Sequence, residues 1–91
     1  MRLVRSTPRF RKSLKRILKS GRFNRDEIQS VIEKIAEEKL DTKYRDHQLS
    51  SDMKDLRECH IRPDLLLIYK IENNNLVLVL INIGSHSDLF K

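Results

Sequence analysis

Several things are scarce in this chain of 91 residues: it has no tryptophan, one cysteine, two glycines and two prolines. One cysteine cannot close an internal disulfide, so Cys59, placed mid-strand, is expected to pack as a small core hydrophobe in a reducing cytoplasm. No long apolar run exists either. Leu76 to Ile81 is the longest and is far too short to span a bilayer, so no membrane role is expected. The N-terminus lacks the apolar stretch of a signal peptide, and a cytoplasmic location follows. Internal repeats, low-complexity tracts and long linkers are absent, which leaves room for one domain over residues 1–91.

Acid is also missing from one region. The first 25 residues hold ten Lys or Arg and no Asp or Glu, a charge of +10, against −4 for the remainder and +6 overall. Unbalanced positive charge at this density is a footprint for a polyanion or an acidic partner.

What is present divides into a helical half and a strand half. Arg2-Leu3-Val4-Arg5 alternates and reads as a short strand. Thr7 and Pro8 supply an N-cap and a first helical position. Phe10, Leu14, Ile17 and Leu18 recur at helical spacing, with Arg9, Arg11, Lys12, Lys15, Arg16 and Lys19 over the rest of the surface. Gly21 ends this helix. Asn24 and Glu27 form a capping-box pattern before a second helix, with Phe23 and Ile28 set for a hydrophobic staple. Its apolar face runs from Ile28 through Val31, Ile32, Ile35 and Ala36 to Leu40. A helical hairpin over about 8–20 and 25–40 is predicted, followed by a polar loop from Asp41 to Lys54.

Strands are predicted at about 55–61, 64–72 and 75–83. Asn73-Asn74-Asn75 makes the turn between the last two, since asparagine tolerates positive φ. Leu76 to Ile81, apolar without alternation, reads as a central strand. Ser85 and Asp88 cap a final helical turn that ends at Phe90. The order βααβββ, plus that short helical turn, predicts an α+β fold. It is an antiparallel-dominated, four-stranded sheet with the helical hairpin packed on one face.

All three histidines, His47, His60 and His86, lie in the strand half. Pro63 cannot supply the positive φ of a two-residue type I′ turn, so a three-residue loop from Ile61 to Pro63 is expected. That closure places His60 opposite Asp64, with Cβ atoms roughly 5 Å apart. Glu58, His60, Asp64 and Lys70 then share one face; Arg57, Cys59, Ile61, Leu65, Leu67, Tyr69 and Ile71 share the other.

Three stretches together carry a family resemblance: Asp46-His47-x-Leu49, Arg57-Glu58-Cys59-His60-x-x-Pro63-Asp64-Leu65-Leu66-Leu67-Ile68-Tyr69, and Gly84-Ser85-His86-Ser87-Asp88-Leu89-Phe90. In order and spacing, across nearly the whole chain, this resembles the YafQ-like branch of the RelE/ParE toxins of type II toxin–antitoxin pairs. The resemblance implies a ribosome-dependent endoribonuclease that cuts translated mRNA and is held by a cognate antitoxin. It places functional residues at His47, His60, Asp64, His86 and Phe90, with Glu58 a weaker addition. Two departures stand out. Ser50-Ser51 replaces a common Gly after Asp-His-x-Leu, and Leu65 stands where an aromatic residue sometimes follows Pro-Asp.

Cleaving RNA without a metal requires a base for the 2′-OH, an acid for the leaving 5′-oxygen, and cationic support for the phosphate oxygens. Histidine serves as either acid or base near neutrality. His47 and His86 are expected to be the acid–base pair, and His60, oriented by Asp64, to stabilise phosphate charge. Phe90 and Glu58 are expected to contact substrate; a stacked base is worth about 1–3 kcal/mol. Arg9, Arg11, Lys12, Lys15, Arg16 and Lys19 are expected on ribosomal RNA, and an acidic antitoxin on the same basic surface. No cofactor is expected. No H-x-x-x-H or C-x-x-C spacing points to a metal. Two rival readings are a ParE-like toxin that binds DNA gyrase without cutting RNA, and a plain RNA-binding module.

Overall fold

The structure, a computed structural model, describes residues 1–50 and 55–90. The last part of the expected polar loop, residues 51–54, lies outside the described residues, and with it Ser51. Among those described, five strands form one sheet: β1 (Leu3–Ser6), β2 (His47–Gln48), β3 (Arg57–Arg62), β4 (Leu65–Glu72) and β5 (Val77–Gly84). Their spatial order is β1-β5-β4-β3-β2. β1 runs parallel to β5, and the other three pairs are antiparallel. The α+β class and the antiparallel bias stand, but the count of four strands is corrected to five. The extra strand, β2, is two residues long, too short for any alternation to reveal it.

Helices α1 (Pro8–Lys19) and α2 (Arg25–Ala36) pack their apolar sides on one face of the sheet. The shared core holds Phe10, Ile17, Ile28, Val31, Ile32 and Ile35 against Cys59, Ile61, Leu65, Leu67, Tyr69, Leu78, Leu80 and Ile83. Thr7 caps α1 as expected, accepting from the Phe10 N–H at 3.0 Å and donating to the Ile81 carbonyl at 2.6 Å. That second bond ties the start of α1 to β5. Gly21 takes φ 75° just after the helix, the left-handed step only glycine adopts cheaply.

α2 ends at Ala36, not near residue 40. Glu38 sits at φ 61°, Lys39 N–H reaches the Lys34 carbonyl at 2.8 Å, and Glu38 N–H reaches Ile35 at 3.1 Å. This is a Schellman closure built on glutamate rather than glycine, so no residue type announced it. Arg2 completes the end by donating from Nη1 to the Ile35 carbonyl at 2.8 Å. At the other end Asn24 accepts from Asp26 N–H at 2.7 Å. Glu27 does not fold back to form the expected capping box; it pairs with Arg62 through two bonds of 2.8 Å.

Asn73, Asn74 and Asn75 all have positive φ, as the turn required. β4, third of five, is the most covered strand: every residue from Leu65 to Tyr69 is buried. Leu76, assigned above to the central strand, instead precedes β5 and is 62% exposed. α3 (His86–Leu89) follows β5 and carries the expected capping box between Ser85 and Asp88. No helix among the described residues is long and apolar enough to cross a membrane.

Cys59 is fully buried in the core. Burial, reinforced by the Asp46 and Glu58 carboxylates, pushes its thiol up to about 12, against about 8.5 when unfolded. A group whose folded pKa is raised contributes stability that is whole below the unfolded pKa and lost as pH climbs toward the folded one. Urea midpoints are therefore expected to fall between about pH 9 and 12, less steeply in Cys59→Ala. At about pH 8 the folded thiol should resist alkylation until urea unfolds the chain.

Candidate active site

The sheet face away from α1 and α2 is where the titratable groups meet. Alternation along β3 sends Cys59 and Ile61 to the helices and turns Glu58 and His60 the other way. His47 on β2 pairs directly with Glu58. The result is one carboxylate oxygen between two imidazoles: Glu58 Oε1 lies 3.5 Å from His47 Nε2 and 3.5 Å from His60 Nε2. The two rings stand 6.3 Å apart at 34°. The Glu58 side chain is 7% exposed, that of His60 23% and that of His47 50%. A carboxylate so far removed from water needs positive charge or donors beside it. Here the two imidazoles stand beside it, each a donor only when its Nε2 bears hydrogen.

His47 is held from behind. Its Nδ1 lies 2.8 Å from the Arg45 carbonyl. A carbonyl can only accept, so Nδ1 carries the hydrogen and Nε2 is the atom presented to the site.

His60 is not opposite Asp64. Its partner in register is Leu66, and the ladder slips at Ile61 so that Arg62 faces Leu65. The loop closes as a bulged hairpin, with Pro63 and Asp64 alone at the bend. Asp64 turns outward and pairs with Arg22 at 2.9 Å, both side chains more than half exposed. The orienting carboxylate expected from Asp64 is instead Glu58. The face assignment for Glu58 and His60 holds, and Asp64 leaves it.

The third histidine arrives from the far side of β4. His60, Leu66 and Gly84 form one row across β3, β4 and β5. At about 4.8 Å per strand, His60 and Gly84 are roughly 10 Å apart along it. Two residues beyond Gly84, His86 opens α3 with its ring 5.0 Å from that of Phe90. Leu66 and Ile68, both buried yet outside the helix-side core, lie on β4 between the groups. The site thus has His47, Glu58 and His60 on one flank, His86 and Phe90 on the other, and an apolar strand in the middle. Among the described residues no three His, Cys, Asp or Glu side chains are grouped to hold a metal ion.

The six basic residues Arg9, Arg11, Lys12, Lys15, Arg16 and Lys19 are all exposed on α1. Two of them, Arg9 and Arg16, reach toward α3. Arg16 lies 3.9 Å from Asp88 on α3, and Arg9, Ser13 and Arg16 line a cleft of about 220 Å³ with Asn82 and Asp88. Sequence reading missed a further cluster at Asp46. Arg57 binds its two oxygens at 3.2 and 2.8 Å, and the buried Tyr69 hydroxyl donates to it as well. The available signal was the Asp-His pair itself, since neighbours in a strand point to opposite faces.

With this geometry in hand, the relatives can be compared. A family model described as the bacterial toxin of a type II toxin–antitoxin system, YafQ, matches residues 2–91. A metal-bound toxin from Helicobacter pylori is 42% identical, with a TM-score of 0.88, over 99% of this chain and 100% of that one. The toxin in a DinJ–YafQ complex from E. coli is 26% identical, with a TM-score of 0.86, over the full length of both chains. The mRNA interferase toxin YafQ of Escherichia coli (strain B / BL21-DE3) is 40% identical over 47 residues, which are 52% of this chain and 49% of that protein. The chain therefore spans about half the length of that curated relative in the match.

The corrected pairing has a measurable consequence. An exposed ion pair such as Arg22–Asp64 contributes about 0–1 kcal/mol. In a double-mutant cycle of unfolding free energies, His60→Ala and Asp64→Asn are expected to add within about 0.5 kcal/mol. His60→Ala with Glu58→Gln should deviate from additivity by more than that.

Proposed function

This chain belongs to the YafQ family of bacterial type II toxin–antitoxin toxins, and from that premise we propose that it is a ribosome-dependent endoribonuclease acting on mRNA in the cytoplasm. The observation that carries the reading is the grouping of His47 and His60 on Glu58, in a sheet whose row from His60 through Leu66 ends at Gly84, two residues before His86 and its ring partner Phe90. An apolar floor at Leu66 suits a base or ribose, and imidazoles on both flanks suit the two ends of a phosphodiester.

Cleavage proceeds by attack of the ribose 2′-OH on the adjacent phosphorus, with departure of the 5′-oxygen. One histidine of the pair His47 and His86 takes the 2′-OH proton, and the other gives a proton to the leaving oxygen. His60, beside Glu58, places its ring against charge that develops on the phosphoryl oxygens. Glu58 orients His60, the role first expected of Asp64, and also stands beside His47 Nε2. Asp64 stays at the rim of the hairpin. Phe90, packed against His86, offers a ring on which a base stacks. No step is routed through a metal ion.

The exposed cations of α1 meet ribosomal RNA, and Arg9 and Arg16 extend that contact toward α3. The same surface receives the acidic antitoxin. Charge steering makes that association fast and salt-sensitive.

Single-turnover cleavage on programmed ribosomes, read by mapping mRNA 5′ ends, tests the chemistry. His86→Ala is expected to cut the rate by about 10²-fold or more at unchanged ribosome affinity. A chelator of transition metals, with magnesium kept for the ribosome, should leave the wild-type rate intact. An undiminished rate in His86→Ala would overturn the assignment. The partner is tested separately. Association with the antitoxin should slow markedly between about 50 and 300 mM salt, and a rate indifferent to salt would remove the basic helix from docking.

A further inference from the structure

His47 presents a problem of orientation. Half of its side chain faces solvent, so packing does not set the ring. The strand that carries it is only two residues long. Its one close hydrogen bond runs to the carbonyl of Arg45, two residues back. Arg45 has φ 53° and ψ 42°, a left-handed conformation that a side-chain-bearing residue keeps only when its surroundings impose it. The Arg45 N–H is held by the Thr42 carbonyl at 3.0 Å, which fixes one side of that peptide pair.

The residue between them fixes the other side. Asp46 turns its carboxylate away from His47, toward the helix-covered face of the sheet. There Arg57 gives it two hydrogen bonds in fork geometry, from Nε to Oδ1 and from Nη2 to Oδ2. Tyr69, 3% exposed, donates its hydroxyl to Oδ1. Arg57 and Tyr69 are themselves register partners on β3 and β4. The carboxylate is thus bolted to two adjacent strands rather than to a loose loop. Burial, and then the Asp46 bond, hold the Tyr69 phenol well above the usual tyrosine range, so it remains a donor throughout the neutral range.

We propose that Asp46 is a positioning residue for His47: its bridge to Arg57 and Tyr69 holds the left-handed turn at Arg45, whose carbonyl fixes the His47 ring with Nδ1 bearing hydrogen and Nε2 turned to the site. The device joins the two faces of the sheet. A polar clamp on the helix side sets the tautomer of an imidazole on the catalytic side. Without it, a free imidazole favours the hydrogen on Nε2, and the nitrogen presented to substrate would carry the wrong complement of hydrogen in the neutral ring. The catalytic consequence rests on the ribonuclease reading above; the tautomer itself does not.

The test therefore reads the ring directly. Nitrogen-15 labelled protein at about pH 8, above the ordinary histidine range, shows in long-range ring correlations which nitrogen of His47 bears hydrogen. Wild type is expected to show the Nδ1–H form. Asp46→Ala should shift His47 toward Nε2–H while leaving amide resonances of β4, β5 and α1 in place. Tyr69→Phe, which removes one hydroxyl and keeps the packed ring, should shift it in the same direction by less. Single-turnover cleavage at saturating ribosome should fall about 10-fold or more in Asp46→Ala, with binding unchanged. A wild-type His47 pattern in Asp46→Ala overturns the proposal. Should that variant fail to fold, a wild-type pattern in Tyr69→Phe overturns it equally. A shifted tautomer in Asp46→Ala, together with a wild type that cuts no RNA, would sink the ribonuclease reading and leave the positioning role standing.

Discussion

Burial of β4 on both faces is the constraint from which the rest follows. Leu65, Leu67 and Tyr69 meet the helices, while Leu66 and Ile68 are buried on the opposite side without belonging to that core. A strand with five consecutive buried residues cannot sit at an edge. It takes the middle of the sheet, and β3 and β5 flank it. Those flanking strands carry the candidate site: Glu58 and His60 on one, the approach to His86 on the other. The apolar floor and the core are therefore one strand read from two sides. Filling the core to native density also holds the two histidine flanks at a fixed separation. A large-to-small change at Leu67 would be felt on the catalytic face through backbone shifts, although its side chain never reaches it.

Much of this was legible because it depends on local pattern. Helical periodicity located α1 and the body of α2. Thr7, Pro8, Gly21, the three asparagines and the Ser85–Asp88 box all marked ends or turns by side-chain chemistry that acts within four residues. What failed depended on tertiary competition. Glu27 had the right spacing for a capping box, yet two bonds to the Arg62 guanidinium outcompeted one to a backbone N–H. The end of α2 used a glutamate in the left-handed region, where sequence reading looks for glycine. β2 has no pattern to read at two residues, and it shows only in its pairing with Arg57 and Glu58 of β3.

The site shows the same division. Its histidines and Glu58 were singled out from residue type, spacing and resemblance. Their grouping was not, because the register of β3 against β4 turned on a single bulge at Ile61. Pro63 does forbid a type I′ turn, as argued, but a longer loop is not the only escape. The chain kept a short bend and absorbed the mismatch inside the strand. With Leu66 rather than Asp64 opposite His60, a displacement of two residues, the carboxylate beside His60 is that of Glu58 and not that of Asp64. Asp64, freed from the face, found Arg22 in solvent.

Glu58 then explains why two histidines stand together at all. Removing a carboxylate from water is costly, and the two imidazoles are the groups that stand beside this one. With His47 and His60 both at ion-pair distance of the same oxygen, any proton carried by either ring is shared with a buried anion. The arrangement differs from a structural salt bridge in one respect. Its partners are imidazoles, a side-chain type that can serve as proton donor or acceptor, rather than permanently charged guanidinium groups. Arginine in place of either histidine would satisfy Glu58 permanently and hold more charge in the site, but it could not exchange a proton. The chain uses that permanent solution only on the other face, where Arg57 holds Asp46. There a guanidinium whose charge is further secured by the hydrogen bond to Asp46 supplies the fixed partner.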